Sequence, residues 1–435
     1  MLETVPSTPT ISSSHLPVLS PGIATLPRPT PLLRRFPGPI PSKMADALPE
    51  HPPKVPIPMS DDRIWIDGCF DFTHHGHAGA MLQAKQLGKY LVVGVHSDEE
   101  ILENKGPTVM NIKERMAAVT ACKWTDLPVP GAPYVTSPEW MDLYGTRYVV
   151  HGDDVTTDSS GEDCYRIVKA AGRFKVVKRT PGISTTDLVG RMLLCTKTHH
   201  IRDLGKLLLN QTSEEGREFL ERTKMYASNS FGVVGEGSTV YDFVTEQPGG
   251  KCVPVVSGIG AKPGQRIVYV DGGFDLFSSG HIEFLRRVVE KEREEGHKDI
   301  YVVAGVHDDR TINYWKGLNY PIMNMFERGL CVLQCRYINS VILTAPFSPT
   351  KEFLETLPTG VPSVVYHGPT TFMPGDEDPY EEAKEMGIFQ EIGNHEFAGV
   401  NAGEIMGRIL KQRELYEERQ RRKGVKIESE MQMVN

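Results

Sequence analysis

The amino-acid sequence predicts an α/β protein with two tandem Rossmann-like domains, each built on a doubly wound, parallel sheet. Continuous apolar runs, such as YLVVGV at residues 90–95, are typical of parallel strands that are buried on both faces. Helical segments alternate with these runs and polar residues follow them, which indicates a site at the carboxyl ends of the strands. The second half of the chain repeats the pattern of the first, which indicates a duplicated domain.

Length, charge and cysteine content restrict the class of protein. A chain of 435 residues with 39% hydrophobic residues can supply cores for two domains. The net charge of −8 argues against a nucleic-acid partner and against broad capture of phosphates. Seven cysteines without a CxxC pair predict neither a disulfide framework nor a zinc site. No apolar run reaches the roughly eighteen residues that a transmembrane helix needs, so we expect a soluble protein, and the cysteine pattern favours a reducing, cytoplasmic compartment.

Changes in composition predict the domain boundaries. Residues 1–58 are rich in Pro, Ser and Thr and lack apolar periodicity, which predicts a disordered N-terminal segment. A transit peptide is the alternative, but closely spaced prolines forbid the amphipathic helix that such a peptide usually forms. The other predicted parts are a first domain at 59–196, a linker at 197–265, a second, degenerate domain at 266–412 and a charged C-terminal tail at 413–435.

The first motif is IWIDGCFDFTHHGHAGAMLQAKQL at residues 64–87, which predicts a strand, a glycine-bearing turn and a helix that begins near His77. A phosphate above such a turn meets unpaired backbone amides and the positive end of the helix dipole. Gly68 and Gly76 allow backbone and nucleotide to approach closely. His74 and His77 are three residues apart, so both imidazoles can face the same anion.

A second motif, KRTPGISTTDLVGRML, lies about one domain further along the chain. Arg179 follows a predicted strand, and the hydroxyl residues at positions 184–186 come just before an apolar helix. Hydroxyls at a helix N-terminus either cap the helix or bind a phosphate there, because both tasks use the same unpaired amides. Both alternatives stay open for these three residues.

Together, these motifs resemble those of the cytidylyltransferase family of nucleotidyltransferases. DGCFDF followed by HxGH is similar to the family's nucleotide-binding signature, RTPGIST to its triphosphate-binding RTxGxST element, and the lysine of KGPTVMN to its essential lysine. The resemblance implies transfer of CMP from CTP to a phosphorylated small alcohol, with Mg²⁺ bound together with CTP and no all-protein metal site. It implies catalytic roles for His74, His77, Lys105 and Arg179, and CTP-binding roles for Gly68, Cys69, Phe70, Asp71, Gly76, Arg115, Asp153, Thr180, Ser184, Thr185 and Thr186.

Three of these residues have a simpler structural alternative. Lys105 could be a solvated loop lysine, and Arg115 could be a surface charge that pairs along its helix. Asp153 follows a strand in the position where sites form, but it could also cap the next loop.

The second half of the chain keeps the strands of the first but loses much of its phosphate-binding sequence. Ser278 replaces His74, which leaves only His281 of the histidine pair, and GNHEF at residues 393–397 replaces RTPG. We therefore expect a folded but catalytically silent domain that packs against the active one. Three residues of the first half have counterparts in the second: Asp67 in Asp271, Lys105 in Lys316, and Arg115 in Arg328.

The tandem arrangement favours phosphoethanolamine as the acceptor, because it resembles the ethanolamine-phosphate branch of the family. Choline-phosphate enzymes carry one such domain and a long amphipathic membrane helix, whereas residues 409–430 here are charged nearly all round. The expected substrates are CTP and phosphoethanolamine, which give CDP-ethanolamine for phosphatidylethanolamine synthesis, and a homodimer is compatible with this. The alternatives are another phospho-alcohol acceptor such as choline phosphate, transfer of AMP, and a non-catalytic regulatory protein of the same fold.

Overall fold

Strands and helices alternate along the chain as the sequence predicts. The computed structural model describes residues 51–210, 212–245, 250–369 and 378–414, and the structural statements below concern these residues. They form two α/β sheets, dominated by parallel pairing, with helices packed against them, which confirms the predicted fold class. None of the described helices is both long and apolar enough to cross a membrane.

The first lobe, residues 51–194, contains a five-stranded parallel sheet. Its strands are β1 (Ser60–Gly68), β2 (Tyr90–His96), β3 (Leu127–Ala132), β4 (Thr146–Gly152) and β5 (Phe174–Val177). They pair in the order β3-β2-β1-β4-β5, so the strand order reverses between β1 and β4. Ligands of open α/β sheets bind outside the carboxyl ends of the strands at such a reversal. The helices of this lobe are α1 (His75–Gln86), α2 (Asp98–Lys105), α3 (Ile112–Ala121), α4 (Pro138–Leu143), α5 (Arg166–Ala170) and α6 (Thr185–Leu194).

Two helices, α7 (Leu204–Leu209) and α8 (Glu214–Tyr226), follow the first lobe. Helix α8 contacts both lobes. The Tyr226 hydroxyl donates a hydrogen bond to the carbonyl oxygen of His75 in α1, and Phe219 packs on Phe326 of the second lobe with 4.1 Å between ring centroids. The predicted linker therefore contains a helix that fills the junction between the lobes.

The second lobe, residues 239–414, contains a sheet of seven described strands. These are β6 (Thr239–Val244), β7 (Lys251–Val256), β8 (Arg266–Gly272), β9 (Ile300–Val306), β10 (Ser340–Leu343), β11 (Val364–His367) and β12 (Phe389–Glu391). They pair in the order β12-β11-β8-β9-β10-β6-β7, and β7 runs antiparallel to β6. The helices of this lobe are α9 (Ser279–Glu294), α10 (Asp309–Lys316), α11 (Met325–Leu333), α12 (Lys351–Glu355), α13 (Glu381–Glu385) and α14 (Ala402–Lys411).

The second part of the predicted linker at residues 197–265 belongs to the second sheet in the structure. Strand β6 extends the second sheet by pairing with β10, and β7 covers its edge. Sequence pattern concealed β6 because Asp242 interrupts its apolar residues. That carboxylate is buried and accepts a hydrogen bond from the Thr344 hydroxyl at 2.7 Å, a partner 102 residues away in sequence.

The last residues of the predicted disordered segment at 1–58 also have a defined structure. Residues 51–58 lie on the first lobe, where the amide of Ile57 donates a hydrogen bond to the carbonyl oxygen of Leu143 at 3.0 Å. Residues 1–50 lie outside the described residues, and so do residues 415–435 of the predicted charged tail.

The two lobes share a continuous apolar core. One cluster of buried side chains combines Leu82 and Val119 of the first lobe with Leu285 and Leu330 of the second. Helix α1 packs on α11, and α3 packs on α9. Because α9 and α11 are the counterparts of α1 and α3, the lobes meet through equivalent faces, as two copies of one protein do in a two-fold symmetric dimer.

Two arginines exchanged between the lobes repeat this symmetry. Arg191 of α6 binds both carboxylate oxygens of Glu327 in the second lobe at 2.7 and 2.9 Å. Its counterpart, Arg408 of α14, binds both carboxylate oxygens of Glu114 in the first lobe at 2.8 and 2.7 Å. Bidentate pairs of this kind fix both position and orientation. We call Arg191 and Arg408 the exchanged arginines.

Candidate active site

The two sequence motifs meet at the carboxyl end of β1. The strand ends at Gly68, and α1 begins at His75 with His74 as its N-cap residue. Helix α6 begins on the same side, because the Thr185 hydroxyl in its first turn donates a hydrogen bond to the carbonyl oxygen of Asp71 at 3.3 Å. Two helix N-termini, each with unpaired amides and partial positive charge, therefore lie at one site.

His74 and His77 form a stacked pair with 4.0 Å between ring centroids. The Nδ1 atom of His74 accepts a hydrogen bond from the amide of Gly76 at 3.0 Å, and Nδ1 of His77 accepts one from the amide of His74 at 3.4 Å. A neutral imidazole that accepts at Nδ1 carries its proton on Nε2. Each ring can therefore donate a hydrogen bond from its Nε2–H group.

The environment keeps both imidazoles neutral. Burial, together with the positive charges of Lys105 and Arg179, lowers the pKa of His77 to about 4. Burial, followed by the neighbouring His77, lowers the pKa of His74 well below its ordinary value. At neutral pH the pair can donate hydrogen bonds but adds no net charge, so cations elsewhere in the site must neutralise an anion.

Lys105 and Arg179 are positively charged residues whose fields reach His77. Lys105 is the last residue of α2, and its Nζ atom lies 5.6 Å from the centre of the Tyr134 ring. The following Gly106 has φ +91°, a left-handed conformation that favours glycine. The Arg179 amide donates to Asp153 at 3.3 Å, and its half-exposed guanidinium can reach a ligand.

Gly76 has a steric role within the protein itself. A Cβ atom at this position would lie 2.8 Å from the His74 imidazole and 2.9 Å from the side chain of Ile183. The absence of a side chain at this position therefore leaves room for the His74 ring and for Ile183 of the second motif. Phe70 is buried, with its ring 5.6 Å from that of His77 in an edge-on arrangement, so it packs against this imidazole.

Asp71 and Arg115 are buried and bind other parts of the protein, and their contact with CTP stays a prediction. The Asp71 carboxylate accepts hydrogen bonds from the amides of Val109 and Met110, both at 2.9 Å. Arg115 is 1% exposed, so it is not the surface charge that we considered as an alternative. Its guanidinium donates to the carbonyl oxygens of Met110, Cys69 and His96 and to the carboxylate of Asp98. Both residues thus position the loops around the site.

The remaining predicted residues lie on the loops that join β4, β5 and α6. Ser184 is the N-cap of α6, since its Oγ atom accepts a hydrogen bond from the amide of Asp187 at 3.1 Å. Thr186 belongs to the first turn of that helix, beside Thr185. The Thr180 side chain contacts the Tyr226 hydroxyl of α8, which ties the RTPGIST segment to the junction between the lobes.

Sequence reasoning missed Asp67 as a site residue. This buried carboxylate lies at the carboxyl end of β1 and accepts hydrogen bonds from the Tyr165 hydroxyl at 2.6 Å and the Trp65 ring at 2.7 Å. The Thr136 hydroxyl supplies a third at 2.5 Å. Tyr134 lies close by, between Lys105 and His96. The retention of an aspartate at this position in both halves of the sequence was the available signal.

Comparison with known proteins agrees with this arrangement. A cytidylyltransferase-like family model matches residues 65–191 and 269–401, one match in each lobe. The chain is 44% identical over 370 residues to ethanolamine-phosphate cytidylyltransferase of Dictyostelium discoideum, covering 84% of this chain and 95% of that protein. It is 41% identical over 386 residues to the enzyme of the same name from Mus musculus, covering 84% of this chain and 89% of that protein. This chain belongs to the ethanolamine-phosphate cytidylyltransferase family.

Choline-phosphate enzymes match a smaller part of the chain. Choline-phosphate cytidylyltransferase A of Rattus norvegicus is 42% identical over 133 residues, which is 30% of this chain and 36% of that protein. The family assignment to ethanolamine-phosphate cytidylyltransferases rests on both lobes, and the likeness to choline-phosphate enzymes covers about one lobe.

Proposed function

We propose that the first lobe transfers CMP from CTP to phosphoethanolamine and releases pyrophosphate and CDP-ethanolamine. The observation that supports this most directly is the stacked pair of Nε2–H donors, His74 and His77, at the start of α1 with Lys105 and Arg179 around it. This set of groups suits a reaction whose transition state gains negative charge on phosphoryl oxygens. Relatives of this chain that are named for this activity add independent support.

The chemistry is a single in-line displacement. A phosphate oxygen of the acceptor attacks the α-phosphorus of CTP, the bond from that phosphorus to the bridging oxygen breaks, and pyrophosphate leaves on the opposite side. Such transfers depend mainly on positioning and charge neutralisation. His74 and His77 donate to phosphoryl oxygens, while Lys105 and Arg179 neutralise the phosphates and draw them together.

The ammonium group of the acceptor fits beside Asp67. The buried carboxylate supplies a negative charge, and the ring of Tyr134 offers the aromatic face that cations favour. Lys105, next to Tyr134, would then bind the phosphate of the same molecule. We therefore place the acceptor between Asp67 and Lys105, with its phosphate towards His77.

Mg²⁺ is proposed to enter with CTP, held chiefly by phosphate oxygens and water. The carboxylates of Asp153 and Asp154, which follow β4 next to Arg179, fit the hard oxygen donors that Mg²⁺ prefers, and one or two such ligands are usual for it. The ion would neutralise charge on the triphosphate. Among the described residues, the one group of three metal-binding side chains is Glu292, Glu295 and His297, in the second lobe.

A reducing, cytoplasmic compartment is proposed from the cysteines. All seven are free, and five of them are buried, including Cys122 and Cys335, whose backbones pair across the lobe junction. A homodimer and the absence of a nucleic-acid partner stay predictions.

Pyrophosphate release tests the proposed function. We expect release with CTP and phosphoethanolamine, and much slower release with ATP or with phosphocholine. The variant Asp67→Asn should raise the KM for phosphoethanolamine at least tenfold, because it removes the charge that faces the ammonium group. Faster release with ATP than with CTP would replace CMP transfer by AMP transfer, and no release with any pair would favour the regulatory alternative.

Changing Thr185 and Thr186 together to Ala should raise the KM for CTP more than the KM for the acceptor. Hydroxyls at the start of α6 would contact phosphate oxygens in the ground state as well as in the transition state. Ser184→Ala is the matched control, since it removes the cap of the same helix and should lower stability by about 1 kcal/mol. A KM for CTP that stays unchanged in the double variant would leave both threonines as helix formers only.

A further inference from the structure

The second lobe contains a cavity of about 550 Å³ at the position that corresponds to the active site of the first. It lies at the carboxyl ends of β8 and β11 and at the start of α9. This volume is within the range that small-molecule sites occupy. Aromatic rings form much of its wall, including Trp315 and Phe347, which stack with 4.7 Å between ring centroids.

This cavity has lost the groups that would hold a triphosphate. The Ser278 hydroxyl, in place of His74, donates to the carbonyl oxygen of Val400 at 2.7 Å. Asn401, in place of Ser184, uses its side-chain oxygen to cap α14 by accepting from the amides of Gly403 and Glu404. The segment 393–397 carries no arginine, so the counterpart of Arg179 is missing. A nucleoside triphosphate would find little charge to neutralise it.

The half of the site that we assign to the acceptor is preserved. The Tyr380 hydroxyl donates to Asp271 at 2.5 Å, as Tyr165 does to Asp67. The rings of His307 and Phe347 lie 5.7 Å apart, like those of His96 and Tyr134 in the first lobe. Lys316, the counterpart of Lys105, lies at the end of α10 and lines the same cavity.

Asp271 differs from Asp67 in one respect that points to a ligand. The two donors to the Oδ2 atom of Asp67, Trp65 and Thr136, are replaced by Tyr269 and Pro349. The Oδ2 atom of Asp271 is buried and has no hydrogen bond of normal geometry in the described structure, although the Tyr269 hydroxyl lies near it. Burial raises the pKa of Asp271 to about 7. An unsatisfied buried carboxylate oxygen is costly, and a bound cationic donor would remove that cost.

We propose that the second lobe binds, without turnover, a small molecule that carries both an ammonium group and a phosphate. The ammonium group would donate to Oδ2 of Asp271 between the aromatic rings, and the phosphate would bind Lys316. Only the likeness of this ligand to the acceptor of the first lobe rests on the proposed function. The unsatisfied carboxylate and the lysine in one cavity stand independently of it.

Isothermal titration of the full-length protein with phosphoethanolamine, without CTP, tests the proposal. We expect Asp271→Asn to abolish one equivalent of binding that Asp67→Asn retains. Lys316→Met should abolish the same equivalent, which guards against a folding defect in one variant, and unchanged melting temperatures confirm that both are folded. Ethanolamine and inorganic phosphate, as probes, should each bind this equivalent at least tenfold more weakly than phosphoethanolamine.

Two outcomes would overturn the proposal. One is identical stoichiometry in the wild type and in both second-lobe variants, and the other is displacement of this equivalent by CTP, which would mean a nucleotide site. Pyrophosphate release by the wild-type protein is measured in parallel. If the protein releases pyrophosphate but its second lobe binds no phosphoethanolamine, this proposal alone is refuted. If the second lobe binds phosphoethanolamine but no pyrophosphate is released, the proposed function alone is refuted.

Discussion

His77→Ala is expected to lower kcat at least a hundredfold in a protein that remains folded. The substitution removes an Nε2–H donor that is set by the amide of His74 and held neutral by burial, so it is ready to meet charge that develops on a phosphoryl oxygen. Because this charge grows towards the transition state, the loss should appear in kcat more than in the KM for CTP. Initial rates of pyrophosphate release at saturating substrates measure it.

The chain supplies a matched control for this experiment in His281. This residue has the same helical position and the same contact, with Nδ1 accepting from the amide of Ser278 at 3.1 Å, and burial lowers its pKa to about 3. His281→Ala removes an equally buried imidazole from a lobe that we expect to be catalytically silent, so kcat should change less than threefold. A comparable fall in both variants would show that the second lobe takes part in the transfer.

Arg408→Ala is expected to lower the free energy of unfolding by about 3 kcal/mol, the largest stability effect that we predict. It leaves the carboxylate of Glu114, whose side chain is 3% exposed, buried without its bidentate partner. Arg408 also donates to the carbonyl oxygen of Val109 at 3.0 Å, beside the amide that binds Asp71. The KM for the substrates should therefore rise as well. Urea unfolding and steady-state kinetics give the two readouts.

Two further variants separate loss of the ion pair from loss of packing. Glu404→Gln removes the exposed partner of Arg408 on its own helix and should cost less than about 0.5 kcal/mol. The double variant Glu114→Gln, Arg408→Gln leaves no unpaired charge, so it should be more stable than Arg408→Ala. If Arg408→Ala unfolds like the wild type, the exchanged arginines do not hold the lobes together.

Local patterns were sufficient to predict the fold and the anion site. The strand, turn and helix around His74 and His77 are determined by residues within about twenty positions of one another, and so is the cap at Ser184. Contacts distant in sequence were not predictable. Arg115 looks like a helix surface charge, yet its partners include Cys69, 46 residues away, and Asp98. Strand β6 depends in the same way on Thr344, which satisfies its buried aspartate.

The exchange of arginines between the lobes also bears on how the protein behaves on dilution. Two separate copies joined by these contacts would come apart below their dissociation constant. Here both partners belong to one chain, and the connection through α7 and α8 fixes the local concentration of each lobe around the other. Activity per chain is therefore expected to stay constant at protein concentrations at which two unlinked lobes would separate.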